Sequence, residues 1–155
     1  MVSKLSAKNQ HVIIVISEFN EDITERLLKG AKDAFSHYQG LKSNLKIYRV
    51  PGAFEIPGTI QQIRKQQHLP DAIIALGAVI RGQTAHFDIV AGESAHGISQ
   101  LSLTTDIPII NGILTTDNRI QAMERSEPGG RNKGWDVMEA ALQAISIYQD
   151  IQNTL

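Results

Sequence analysis

The sequence contains no cysteine, no apolar stretch approaching membrane-spanning length and no surplus of charge of either sign. Without a thiol, disulfides, iron–sulfur ligation by thiolates and a cysteine nucleophile are excluded, and nothing about the redox compartment can be read. With 15 Lys and Arg against 16 Asp and Glu, the net charge is -1. That balance argues against a nucleic-acid footprint or a polybasic membrane surface, so any basic site is local. The opening MVSKLSAKNQ is polar and lacks the apolar core of a signal peptide, so residence in the cytoplasm and no membrane association are expected. This leader also reads as too polar to pack within its own domain, which leaves it disordered or held by another subunit. Dinucleotide, P-loop and G-x-S-x-G sequences are missing. His11, His37, His68 and His96 show no metal-ligand spacing, and no metal site is expected.

What is present is a single domain over residues 1–155, the first ten being the leader, with 42% hydrophobic residues to supply a core. No linker, low-complexity tract or repeat interrupts it. Val12 to Ile16 reads as a strand, and Ile23, Leu27, Ala31, Ala34 and Tyr38 then recur at helical spacing, with Asn20 placed to cap. Leu45 to Val50 predicts a second strand ended by Pro51-Gly52, and Ala53 to Gln67 a helix with Pro57 near its start. Ala72 to Ile80 is wholly apolar, the mark of a strand buried on both faces. Thr84 is placed to cap the helix that follows, which carries Phe87, Val90, Ala91, Ala95 and Ile98 on one side. A fourth strand over Pro108 to Leu114 runs into Thr115 to Asn118, followed by helices over Arg119 to Ser126 and Lys133 to Gln149. Strict alternation implies an α/β fold: a three-layer α/β/α sandwich around a central four-stranded parallel sheet, flavodoxin-like in strand order.

In such a sheet ligands bind beyond the carboxyl ends of the strands. Four segments converge there: Phe19-Asn20, Pro51 to Glu55, Arg81 to His86, and Asn111 to Thr116. Phe19 is suited to stack on a planar ring and Glu55 to accept N–H groups of a heterocycle; equally, Phe19 covers a core edge and Glu55 serves a helix dipole. The start of the third helix offers unpaired N–H groups and a positive dipole end to an anion. Arg81 adds a fixed positive charge, Gly82 permits close approach, and His86 brings a side chain of the type that changes protonation near neutrality. Arg125 with the Gly-containing turn to Lys133 brings cations to a phosphate or is a solvated helical hairpin.

Several segments occur together in order: Phe19-Asn20, Val50-Pro51-Gly52-Ala53-Phe54-Glu55, Val79-Ile80-Arg81-Gly82-Gln83-Thr84-Ala85-His86, Gly112 to Thr115, Gln121-Ala122 with Arg125, and Asn132-Lys133-Gly134. On these the chain resembles the 6,7-dimethyl-8-ribityllumazine synthase family from its first strand to its last helix. The resemblance implies condensation of 5-amino-6-(D-ribitylamino)uracil with 3,4-dihydroxy-2-butanone 4-phosphate, releasing phosphate and water, in riboflavin synthesis. It implies no cofactor. It assigns the uracil and ribityl groups to Phe19, Ala53, Phe54, Glu55, Ala78, Val79, Ile80 and position 111, the phosphate to Gln83, Thr84 and Arg125, proton transfer to His86, and supporting places to Lys133 and Asp136. It further implies a homopentamer with active sites between subunits, some members forming hollow icosahedral shells, and a leader that adds a strand to a neighbour's sheet. Two positions depart from the family pattern. Asn111 stands where many members carry an aromatic residue, and Gly129 where many carry a lysine. A non-catalytic flavin- or lumazine-binding module and a shell-forming structural homologue are the alternatives.

Overall fold

The computed structural model describes residues 4–154. Its elements run β1 (Val12–Ser17), α1 (Glu21–His37), β2 (Leu45–Val50), a 3₁₀ turn (Ala53–Glu55) leading into α2 (Ile56–Arg64), β3 (Ala72–Ile80), α3 (His86–Leu103), β4 (Ile109–Thr116), α4 (Arg119–Glu124) and α5 (Lys133–Thr154). The four strands form one sheet in the order β2-β1-β3-β4. All pairings are parallel, with Val12 opposite Leu45 and Ala72, and Ile73 opposite Ile109. This is the expected sandwich and flavodoxin-like order.

Alternate residues of β1 and β3 feed two cores. Ile14, Ile16, Ile74 and Leu76 pack with α1 and α5, while Val15, Ile73 and Ala75 pack with α2 and α3. Because β3 is central and covered on both faces, it is apolar at every position, as parallel strands of this kind require. The strand order changes direction between β1 and β3, which opens a crevice at their carboxyl ends.

Several local expectations change. Asn20 precedes α1 but does not cap it with its side chain: its backbone is left-handed, φ 60°, and its Nδ2 donates instead to the Ala78 carbonyl at the end of β3, 2.9 Å away. The helix expected over Ala53 to Gln67 is shorter, a 3₁₀ turn followed by Ile56–Arg64, with Pro57 in the first turn where a missing N–H costs nothing. Thr84 does not cap α3 either. Ala85 holds the N-cap position, and Thr84 Oγ1 accepts only a long 3.4 Å bond from the His86 N–H. Ala95 is exposed, and Ser94 is buried in its place with its hydroxyl donating to the Val90 carbonyl at 2.7 Å. The polar leader packs on its own domain from Leu5 onward: Ala7 is fully buried and its N–H donates to the Tyr38 carbonyl at 2.7 Å. Residues 1–3 of that leader lie outside the described residues.

Candidate active site

A cleft of about 700 Å³ occupies the crevice at the carboxyl ends of β1 and β3, floored by Ala78, Val79 and Ile80. Ala78 and Val79 are buried, so β3 offers the cleft little but its backbone edge and small side chains. The turn after β1 brings Phe19 to the mouth with 71% of its surface exposed. Its position is fixed by backbone: the Glu18 and Phe19 N–H groups donate to the Val50 and Pro51 carbonyls at 2.8 and 3.0 Å. The Asn20–Ala78 hydrogen bond ties the same turn to β3.

The opposite wall is the 3₁₀ turn after β2, with Ala53 buried and Phe54 and Glu55 exposed. A β-carbon on Gly52 would stand 3.0 Å from Glu55 Oε2. Glycine therefore gives that carboxylate room beside the backbone. The third wall is the loop after β3 with Gly82, Thr84 and His86, continued by Phe87, Ile89 and Val90 of α3. His86 is exposed at the first residue of α3, and no hydrogen bond or ion pair of its imidazole occurs among the described residues. Gln83 is exposed on the same loop but does not line the cleft.

Arg81 departs from its expected role as a fixed cation for an anion. Its guanidinium lies 4.5 Å from the Phe87 ring centroid, Nε donates to Asp117 Oδ1 at 3.0 Å, and a second nitrogen is 3.5 Å from Asp88 Oδ1. Two carboxylates thus neutralise the charge that the sequence offers to a ligand, because the β4–α4 loop and the first turn of α3 both close on it.

Arg125, Lys133 and Asp136 lie elsewhere on the chain. With Arg131 they line a separate cleft of about 270 Å³ against Ile113, Leu114 and Thr115 of β4, and the two clefts share no residue. Arg125 is half-buried and donates to the Gln121 carbonyl at 3.1 Å, one turn back in α4. The Ser126–Asn132 turn is closed by an antiparallel bridge and by a bond from the Glu127 N–H to the Arg131 carbonyl at 3.0 Å. Gly129 has φ +70°, a backbone in which a lysine would be strained. Asn111 lies within β4 opposite Ala75, exposed, with its Oδ1 accepting from the Ile113 N–H at 2.9 Å, and lines neither cleft.

Sequence reasoning missed four contributors. Ile89 and Val90 extend the apolar wall of the first cleft, and helical periodicity could have placed Val90 there. Asn132 starts α5 by accepting from the Trp135 N–H at 3.1 Å and donates to the Arg26 carbonyl at 3.1 Å, and an asparagine just before a helical run was the available signal. Asp117, the partner of Arg81, carried no signal.

Comparison with known proteins bears directly on this arrangement. Residues 9–149 match the family model of 6,7-dimethyl-8-ribityllumazine synthase. A protein of that name from Chloroherpeton thalassium is 44% identical over 147 residues, covering 95% of this chain and 94% of the relative. One from Chlorobium luteolum is 44% identical over 150 residues, with 95% and 94% covered. One from Nautilia profundicola is 43% identical over 143 residues, with 92% of each covered. The segments that line the first cleft fall inside all but the ends of this match, and the chain belongs to the 6,7-dimethyl-8-ribityllumazine synthase family.

Proposed function

We propose that the protein is a lumazine synthase, a transferase that joins 5-amino-6-(D-ribitylamino)uracil to 3,4-dihydroxy-2-butanone 4-phosphate in riboflavin biosynthesis. The observation that carries this reading is one cleft lined by an exposed phenyl ring, a carboxylate and an imidazole beside an uncapped helix start. In it Phe19 stacks on the pyrimidine, while Glu55 and the backbone of Ala53, Phe54 and Ala78 to Ile80 hold the uracil and ribityl groups. The loop before α3, through Thr84 with Gln83 beside it, takes the phosphate at the start of that helix.

The 5-amino group adds to the ketone and water leaves as the imine forms. Loss of a proton beside the carbon–nitrogen bond expels phosphate, and the ribitylamino nitrogen then closes the ring with loss of a second water. Each step moves a proton to or from a heteroatom or an activated carbon, which a single imidazole at residue 86 can do in turn. No electron is transferred, so no redox cofactor is called for. Holding both partners in one cleft supplies much of the remaining acceleration.

Arg125 completes the phosphate site from a neighbouring copy, with Lys133 and Asp136 beside it, in a homopentamer. Supporting this are the two separate clefts of a single chain and the exposed Phe19, Phe54 and Ile89 at the mouth of the first. Residence in the cytoplasm fits a chain in which no described helix is long and apolar enough to cross a membrane. Asn111 lines neither cleft of one chain, so by this reading it reaches the pyrimidine from the neighbouring copy, with an amide in place of a stacking ring.

The test is formation of the fluorescent lumazine from the two substrates, run with light scattering for mass. The wild type exceeds the uncatalysed background, and His86→Ala lowers turnover by about a hundredfold. Riboflavin binding without turnover overturns the reading in favour of a binding module, and a shell without turnover in favour of a structural protein.

A further inference from the structure

We propose that Arg81 is a positioning residue for His86, a clamp that holds the first turn of α3 against the β4–α4 loop. The inference rests on the reading of His86 as the proton-transfer group.

The start of α3 is weakly held by itself. Its N-cap residue is Ala85, which has no side chain to cap with, and the Asp88 and Ile89 N–H groups reach the Ala85 carbonyl at 3.1 and 3.4 Å. Residues 81–86 are all exposed, so packing does not fix them. The imidazole has no side-chain or backbone partner among the described residues, and its place is therefore set by the backbone beneath it.

Arg81 supplies what the loop lacks. On one side its guanidinium covers the Phe87 ring, centroid 4.5 Å away, and reaches Asp88 at 3.5 Å, the two residues that follow His86. On the other side Nε donates to Asp117 at 3.0 Å, and the Arg81 N–H donates to the Thr116 carbonyl at 2.9 Å. That anchor is itself braced. The Asp117 N–H donates to Gln121 Oε1 at 2.8 Å, and Asn118 Oδ1 caps α4 by accepting from the Gln121 N–H at 2.9 Å. A planar guanidinium is suited to this task because it stacks and forks at once. The ion pairs are half-exposed, 48% and 68% for Arg81 and Asp117, and pairs of that kind add little to global stability. The effect is local.

The experiment compares the full-length wild type with Arg81→Gln, Arg81→Lys, Asp117→Asn and the Arg81→Gln/Asp117→Asn double variant. It reads kcat, the KM of each substrate, the thermal midpoint and hydrogen exchange at the Asp88 and Ile89 amides. Breaking the clamp from either end lowers kcat about tenfold. KM for the phosphate-bearing substrate and the thermal midpoint stay near wild type, and the two amides exchange faster. Arg81→Lys, which keeps the charge but not the stacked plane, falls between wild type and Arg81→Gln. The double variant loses no more than either single one, as two halves of one contact should.

A kcat within about twofold of wild type for both single variants, or additive losses, overturns the clamp. A loss confined to KM for the phosphate-bearing substrate also overturns it, making Arg81 a phosphate ligand. If the wild type makes no lumazine, the functional reading fails by itself and the exchange measurement decides the clamp: unchanged amides refute it. Because Arg81 and Asp117 are changed separately, misfolding of one variant leaves the other to give the answer.

Discussion

Gly134 is the second residue of α5, and a methyl group there has nowhere to go. A β-carbon built on it would lie 1.8 Å from the Leu27 carbonyl oxygen, 2.6 Å from its carbon and 2.9 Å from its α-carbon. The obstacle is backbone of α1, so no rotamer change relieves it. A carbon and a carbonyl oxygen settle at about 3.3 Å, and the α1–α5 crossing must therefore open by roughly 1.5 Å. A gap of that size around Leu27, Val137 and Met138, all buried, forfeits half or more of their contact energy with the facing helix. Overpacking of this kind costs about 1–3 kcal/mol. The better helix propensity of alanine returns at most about 1 kcal/mol, and less in a first turn. Gly134→Ala is thus expected to lose about 2 kcal/mol, which at a slope of about 2 kcal/mol per molar urea lowers the midpoint by about 1 M. Trp135 is the one tryptophan of the chain and sits next to the change, so its fluorescence follows the transition. Protein concentration is held fixed because assembly feeds into apparent stability. Gly82→Ala, where nothing lies within 4 Å of the added carbon, serves as the control and moves the midpoint little. A Gly134→Ala midpoint equal to or above that of the wild type would refute the argument, showing that α5 is free to move off α1.

Features that depend on a repeat along one segment were legible in the sequence. Ala72–Ile80 could be read as the central strand because burial on both faces leaves no polar alternation, and the four site segments followed from the rule that ligands meet strands at their carboxyl ends. Features that depend on a partner far along the chain were not. Asn20 looks like a cap, but its left-handed backbone turns the side chain toward Ala78, 58 residues away. Arg81 looks like a free cation, but Asp117, 36 residues on, takes its Nε. Thr84 failed as a cap by one residue, since α3 begins after Ala85. The apolar repeat of α3 points to Ala95, whereas the buried residue is Ser94, because a serine that bonds to the carbonyl one turn back can be buried there. The resemblance implies that His86 and Arg125 serve one site from neighbouring subunits, and on the single chain they line different clefts, a separation that spacing alone does not reveal.

Two further outcomes follow from the geometry. The Tyr38 hydroxyl donates to the Glu139 carboxylate, and that bond, then burial, then the carboxylate charge raise the Tyr38 pKa above 10.0. A raised value favours the neutral phenol in the folded state. Its contribution is whole below pH about 10 and is lost as pH climbs through the folded-state value. Thermal midpoints of Tyr38→Phe should therefore start below wild type and fall less steeply above pH about 10, and parallel curves would contradict this. Arg125 gives the sharper test, because its cleft and that of His86 share no residue on one chain. Arg125→Ala should raise KM for the phosphate-bearing substrate about tenfold while leaving that for the pyrimidine near wild type. If a working site takes His86 from one copy and Arg125 from the next, His86→Ala and Arg125→Ala proteins unfolded together and reassembled will include sites with both residues intact. Random mixing in a closed ring makes these about a quarter of all sites. Activity should then rise well above the sum of the two variants assembled apart. A mixture no more active than that sum would mean that the two residues never serve one site across a subunit boundary, and the composite site would have to be abandoned even if the enzyme proved active.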